Sequence, residues 1–182
     1  MLSGEEWVKE YPTSKSIDDL ADTFRAKAQS FVDSLLKAGA AVSIGDTLRP
    51  PKRARLMYSA YQIAHGEPVP LNPSEVPEIP GVDIQWEHRD ANGLPDLAAS
   101  KAGALEMVDG YHIVHEPALH PRHIEGLAID MTISWQGDLV LMDGKGAKRT
   151  IASEKRNGAD NPELHLVGRS FGVIKLLGDA PH

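Results

Sequence analysis

The chain has no cysteine. That absence removes disulfides, thiolate nucleophiles and every zinc or iron–sulfur site built on sulfur, so any metal must be held by His, Asp or Glu. Aromatic residues are scarce at 5%, yet the 41% hydrophobic and 25% charged shares are those of a globular protein rather than a disordered one. Lys and Arg form no block, and the formal net charge is −7. A concentrated basic face for phosphates or anionic lipid is therefore missing. No run approaches the roughly 20 apolar residues that a membrane span needs. The opening "MLSGEEWVKEYPTSK" also lacks the charged-then-apolar pattern of a secretory signal. The reading is of a monomer made in the cytoplasm, with neither nucleic acid nor a membrane as partner.

At 182 residues the chain is expected to form a single domain, 1–182, with 1–15 as an extended N-terminal segment. Residues 16–38 read as an amphipathic helix: Ser16 can cap it with Asp19 three positions on, and Ile17, Leu20, Phe24, Ala28, Phe31 and Leu35 recur at helical spacing. "AAVSIGDTLRPP" reads as a strand leading into a helix with proline in its first turn, running to about His65. Residues 67–81 carry five prolines and form a surface loop. Another helix is expected after Pro95. "LAIDMTISW" and "GDLVLM", joined by Gln136 and Gly137, read as an antiparallel hairpin, with "KRTI" a possible further strand. "DNPELHLVGRSFG" reads as a late helix and "GVIKLL" as a final strand. The fold class is α+β, with N-terminal helices packed on a small antiparallel sheet.

The segment richest in chemistry is "HPRHIEGLAID", His120 to Asp130. Strand alternation puts Leu127, Ile129 and Met131 on one face and Ala128 and Asp130 on the other. A carboxylate in a partly buried strand is costly unless it is paired, hydrogen-bonded or bound to a metal. Three readings stay open for Asp130: exposure on a solvated face, pairing with Arg122 or Arg169, or metal ligation. Gly126 supplies a bend across which His123 can converge with Asp130, and small Ala128 leaves room above the sheet. A third ligand is available in "LLGDAPH", with His182 as ligand and Asp179 as base. Three protein ligands leave one position for a water whose pKa falls toward neutrality, while a nearby carboxylate takes its proton. His165, with Glu163 nearby, is a rival ligand, although its segment reads as packing helix. His112, His115 and His120 fit positions that hydrogen-bond to a metal ligand or face solvent better than a second metal site. Trp86 and His88 fit core or edge positions better than a groove, and Glu125 is expected to face solvent.

"PRHIEGLAID" resembles the Ser-x-His-x-x-Gly-x-Ala-x-Asp signature of the zinc D-Ala-D-Ala and L-alanyl-D-glutamate peptidases of bacterial cell walls. "DAPH" resembles the closing acid-x-x-His element of that family, and "DTLRPPKRARLMY" its Arg-containing segment ahead of a helix. Pro121 stands where the family has serine. The resemblance implies a Hedgehog/DD-peptidase-like fold, with zinc held by His123, Asp130 and His182. It also implies Asp179 as general base and Arg49 orienting a substrate carbonyl or carboxylate. The expected activity is hydrolysis of a peptide bond in the peptidoglycan stem peptide, as an endopeptidase of the L-alanyl-D-glutamate type delivered to the wall in the manner of a phage lysin. The alternatives are a D,D-carboxypeptidase or dipeptidase on the same fold, and a non-catalytic cell-wall or zinc-binding domain.

Overall fold

A computed structural model of the chain describes residues 1–153 and 158–177. In chain order its elements are α1 (Asp22–Lys37), β1 (Ala41–Asp46), α2 (Pro51–His65), α3 (Leu97–Gly110), β2 (Asp130–Ser134), β3 (Leu139–Met142), β4 (Lys148–Ile151) and α4 (Pro162–Phe171). Short 3-10 turns lie at Glu5–Lys9, Ile17–Asp19, Pro73–Glu75, Arg122–Glu125 and Gly158–Asp160. The architecture is α+β. Among the described residues no helix is long and apolar enough to cross a membrane. The chain forms two compact units: Met1–Thr13 with Arg49–Ile124, and Ser14–Leu48 with the chain from Glu125 onward.

The first unit is built on α2 and α3. Helix α2 starts at Pro51, where a missing N–H costs nothing, and stops at Gly66. Helix α3 is capped by Asp96, whose side chain accepts from the Ala99 N–H at 2.9 Å. Small residues on both helices, Ala60 and Ala64 on one and Ala104 on the other, are buried in the same core as Leu56 and Met107. The first fifteen residues, expected as an extended segment, contain the turn Glu5–Lys9 and bury Trp7 in this core. The Trp7 indole donates to the Leu2 carbonyl, and the Ser3 N–H to the Gln85 carbonyl. The Arg53 guanidinium donates to the Val8 carbonyl at 3.0 Å and lies 4.5 Å over the Tyr111 ring. Within the proline-rich 67–81 segment, Pro73 and Ile79 are buried.

Tyr111 donates its hydroxyl to the Trp7 carbonyl at 3.0 Å. Burial pushes its phenol up to about 12, the nearby Arg53 cation working against that rise and Glu10 with it. A phenol whose folded value lies above the ordinary 10 stabilises the fold fully below pH 10, and this contribution is lost as pH rises through about 12. Tyr111→Phe is expected to cost about 1 kcal/mol at neutral pH, from the lost hydrogen bond. It should also flatten the alkaline fall in stability. Urea unfolding of both proteins at neutral pH and above pH 10 checks both effects.

The second unit holds all four strands, in two separate two-stranded antiparallel sheets, β1 with β2 and β3 with β4. The expected hairpin across Gln136 and Gly137 does not form, because β2 takes β1 as its partner. The hairpin is instead β3–β4, closed by residues 143–147. Asp143 shapes that turn: one carboxylate oxygen accepts from the Lys145 and Ala147 N–H groups at 2.9 Å, the other from Arg149 at 2.9 Å. The Ala147 N–H and the Arg149 guanidinium hold its carboxyl below the ordinary value against desolvation.

The helix expected over 16–38 is interrupted. Ser16 caps only the turn Ile17–Asp19, and α1 begins at Asp22. Between them the Ala21 N–H is drawn out of helical pairing by the Gly126 carbonyl at 3.0 Å, while Leu20 is buried with Ala28 and Ile129. Helix α4 ends at Gly172 in a left-handed cap, and "GVIKLL", expected as a strand, carries no strand pairing through residue 177.

Candidate metal centre

The centre begins with an irregularity in the β1–β2 pair. Residues pair one for one from Ala41 opposite Ser134 to Ile44 opposite Met131, and then the register shifts so that Asp46 faces Asp130. Regular pairing would have set Gly45 there. A glycine in a strand commonly marks such a bulge, and the bulge re-aims the following side chain. Here it brings two carboxylates together as cross-strand partners, an arrangement that is destabilising for like charges.

His123 arrives from the short turn Arg122–Glu125, within which the chain passes from the first unit to the second. The Pro121 carbonyl opens that turn by accepting from the Ile124 N–H at 3.0 Å. Proline is thus accommodated where the resembled family has serine. Gly126 follows with φ of 65°, and a Cβ there would lie 2.8 Å from the Ala21 nitrogen, so both the bend and the close approach require glycine. The chain leaving β1 is fixed by backbone bonds on two sides. Thr47 N–H donates to the Ser14 carbonyl at 2.8 Å and Ser14 N–H to the Leu48 carbonyl at 2.9 Å; Arg49 N–H donates to the His123 carbonyl at 3.1 Å.

Asp46, His123 and Asp130 each offer a ligand atom, and these atoms lie within 4.8 Å of one another. Asp46 is 6% exposed and His123 3%, while Asp130 is half-buried. Carboxylates brought this close disfavour one another wherever both carry charge. A cation between them reverses the sign of that interaction. Ligand atoms around one tetrahedral zinc at about 2.0–2.2 Å lie about 3.3–3.6 Å apart. One imidazole nitrogen and two carboxylate oxygens, without sulfur, form a donor set suited to zinc and other divalent transition metals.

Of the residues singled out in the sequence, His123 and Asp130 are brought together across Gly126. Asp179 and His182 lie outside the described residues. Arg49 is tied through its backbone to His123. His165 is engaged by its ring nitrogen with the Gly158 carbonyl at 2.9 Å, and His88 with the Ser3 hydroxyl at 2.9 Å. Trp86 is part of the first unit's core, and His112, His115 and His120 are exposed. Among the described residues, the Asp46, His123 and Asp130 group is the one in which potential ligands converge. Asp46 was missed in the sequence because it closes a strand distant from the motif; the signal that marks it is Gly45 directly before it. No protein-family model, curated protein or solved structure matches this chain.

Proposed function

We propose that this chain is a zinc-dependent peptidase that hydrolyses a peptide bond in the stem peptides of peptidoglycan, as an endopeptidase of the L-alanyl-D-glutamate type. The observation that carries the reading is the convergence of His123 with Asp130 and a second carboxylate in a largely buried cluster. Zinc held there would supply Lewis acidity, polarising a substrate carbonyl and acidifying a coordinated water.

The chain's own residues would divide the remaining work. His123 and Asp130 hold the ion, with His182 as the further ligand that the motif resemblance implies. Asp179, three residues earlier, takes and returns the proton. Arg49, fixed through its backbone to the carbonyl of His123, orients the substrate's carbonyl or carboxylate.

Purified peptidoglycan incubated with the protein and zinc, then analysed by mass spectrometry, tests the reading. The expected result is stem peptides cut between L-alanine and D-glutamate, with loss of cutting in excess chelator. Release of a terminal D-alanine would redirect the assignment to a carboxypeptidase. Intact fragments from a protein carrying about one equivalent of zinc would leave a binding domain.

A further inference from the structure

We infer that Asp46 is itself a metal ligand, so that the ion is anchored by Asp46, His123 and Asp130 and stays bound without His182. The inference rests on the proposed metal site and deepens it. Asp46 lies outside the motif that carries the resemblance, and its place in the cluster follows from the strand pair alone.

Three features support a ligand rather than a bystander. The bulge at Gly45 exchanges a residue with no side chain for a carboxylate at the position facing Asp130. The carboxylate so placed is 6% exposed and lies within 4.8 Å of the His123 and Asp130 ligand atoms. The backbone on either side of it is held fast, in β1 before and by the Thr47 to Ser14 bond after. Its direction is therefore fixed before any ion arrives. A solvated aspartate at a strand end needs neither burial nor such placement. Three protein donors suffice to hold a zinc ion with a position left open, which makes a further histidine an addition to the site and not its foundation.

The test uses zinc itself as the probe. Zinc affinity of the full chain is measured by competition with a chromophoric chelator for the parent, Asp46→Asn and His182→Ala. Thermal unfolding of each protein in excess chelator runs in parallel. Asp46→Asn is expected to weaken zinc binding by at least about tenfold, since even outer-shell partners are worth about 10–100-fold. The loss should exceed that from His182→Ala. Without metal, Asp46→Asn should keep the parent's circular dichroism and unfold in a single transition, because the side chain is unchanged in size. A loss no larger than that of His182→Ala overturns the inference. So does a metal-free Asp46→Asn that has lost the parent's fold, which would trace weaker binding to a damaged strand pair. Failure of the parent to bind zinc removes the proposed function as well; a parent that binds zinc and cuts peptidoglycan while Asp46→Asn binds equally well removes only this inference.

Discussion

His123→Ala is expected to lower the proposed zinc affinity and the proposed peptidoglycan hydrolysis by more than about 100-fold, the upper end of what the loss of an outer-shell partner alone costs. His123 is 3% exposed, and a nitrogen of its ring lies within 4.8 Å of ligand atoms of Asp46 and Asp130. Truncation leaves those two groups with a cavity where the ring stood, and water admitted there competes for the ion. Metal content after dialysis and turnover of wall fragments are the two readouts, with circular dichroism confirming that α2 and α3 persist. A His123→Ala protein that kept stoichiometric zinc and parental turnover would remove the turn Arg122–Glu125 from the site.

Gly126→Ala should be strongly destabilising, since it combines a strained backbone with a close contact. The left-handed backbone at φ of 65° costs a non-glycine residue about 1–2 kcal/mol. The added Cβ also meets the Ala21 nitrogen at 2.8 Å, a backbone atom that cannot swing aside. Moving it would break the Ala21 to Gly126 hydrogen bond and unseat Leu20 from its cluster with Ala28 and Ile129. The combined cost is expected to be about 2–4 kcal/mol. Urea unfolding in chelator measures it free of any contribution from bound metal. Zinc affinity should fall in parallel, since the same bend sets His123 against Asp130. A variant within about 0.5 kcal/mol of the parent, the range of ordinary surface substitutions, would show the turn to be more tolerant than its contacts imply.

Elements with local punctuation were legible in the sequence. Helix α2 is bounded by Pro51 and Gly66, α3 by its Asp96 cap, and α4 by Asn161, Pro162 and Gly172. Strand partners were not. Gln136 and Gly137 sit between two alternating runs and look like a hairpin turn, yet β2 pairs with β1, far back in the chain. Asp143, followed by two N–H donors and Arg149 in reach, proved the stronger turn former. The helix over 16–38 failed for a related reason: the carbonyl that captures Ala21 belongs to Gly126. At the candidate centre, the pairing of His123 with Asp130 could be anticipated because both stand on one short stretch with a glycine bend. Asp46 could not, since its approach depends on strand register, which tertiary pairing decides.

The facing of Asp46 and Asp130 also bears on the order of events in folding. The two residues are 84 positions apart (130 − 46), so their meeting requires a long loop to close before any compensating contact forms. During collapse the proposed ion would have at most the local stretch from His123 to Asp130 to bind; Asp46 would reach it after the strands have zipped. A metal bound as proposed would therefore act as a latch rather than a nucleus: it would leave the rate of refolding nearly unchanged and slow escape from the finished state.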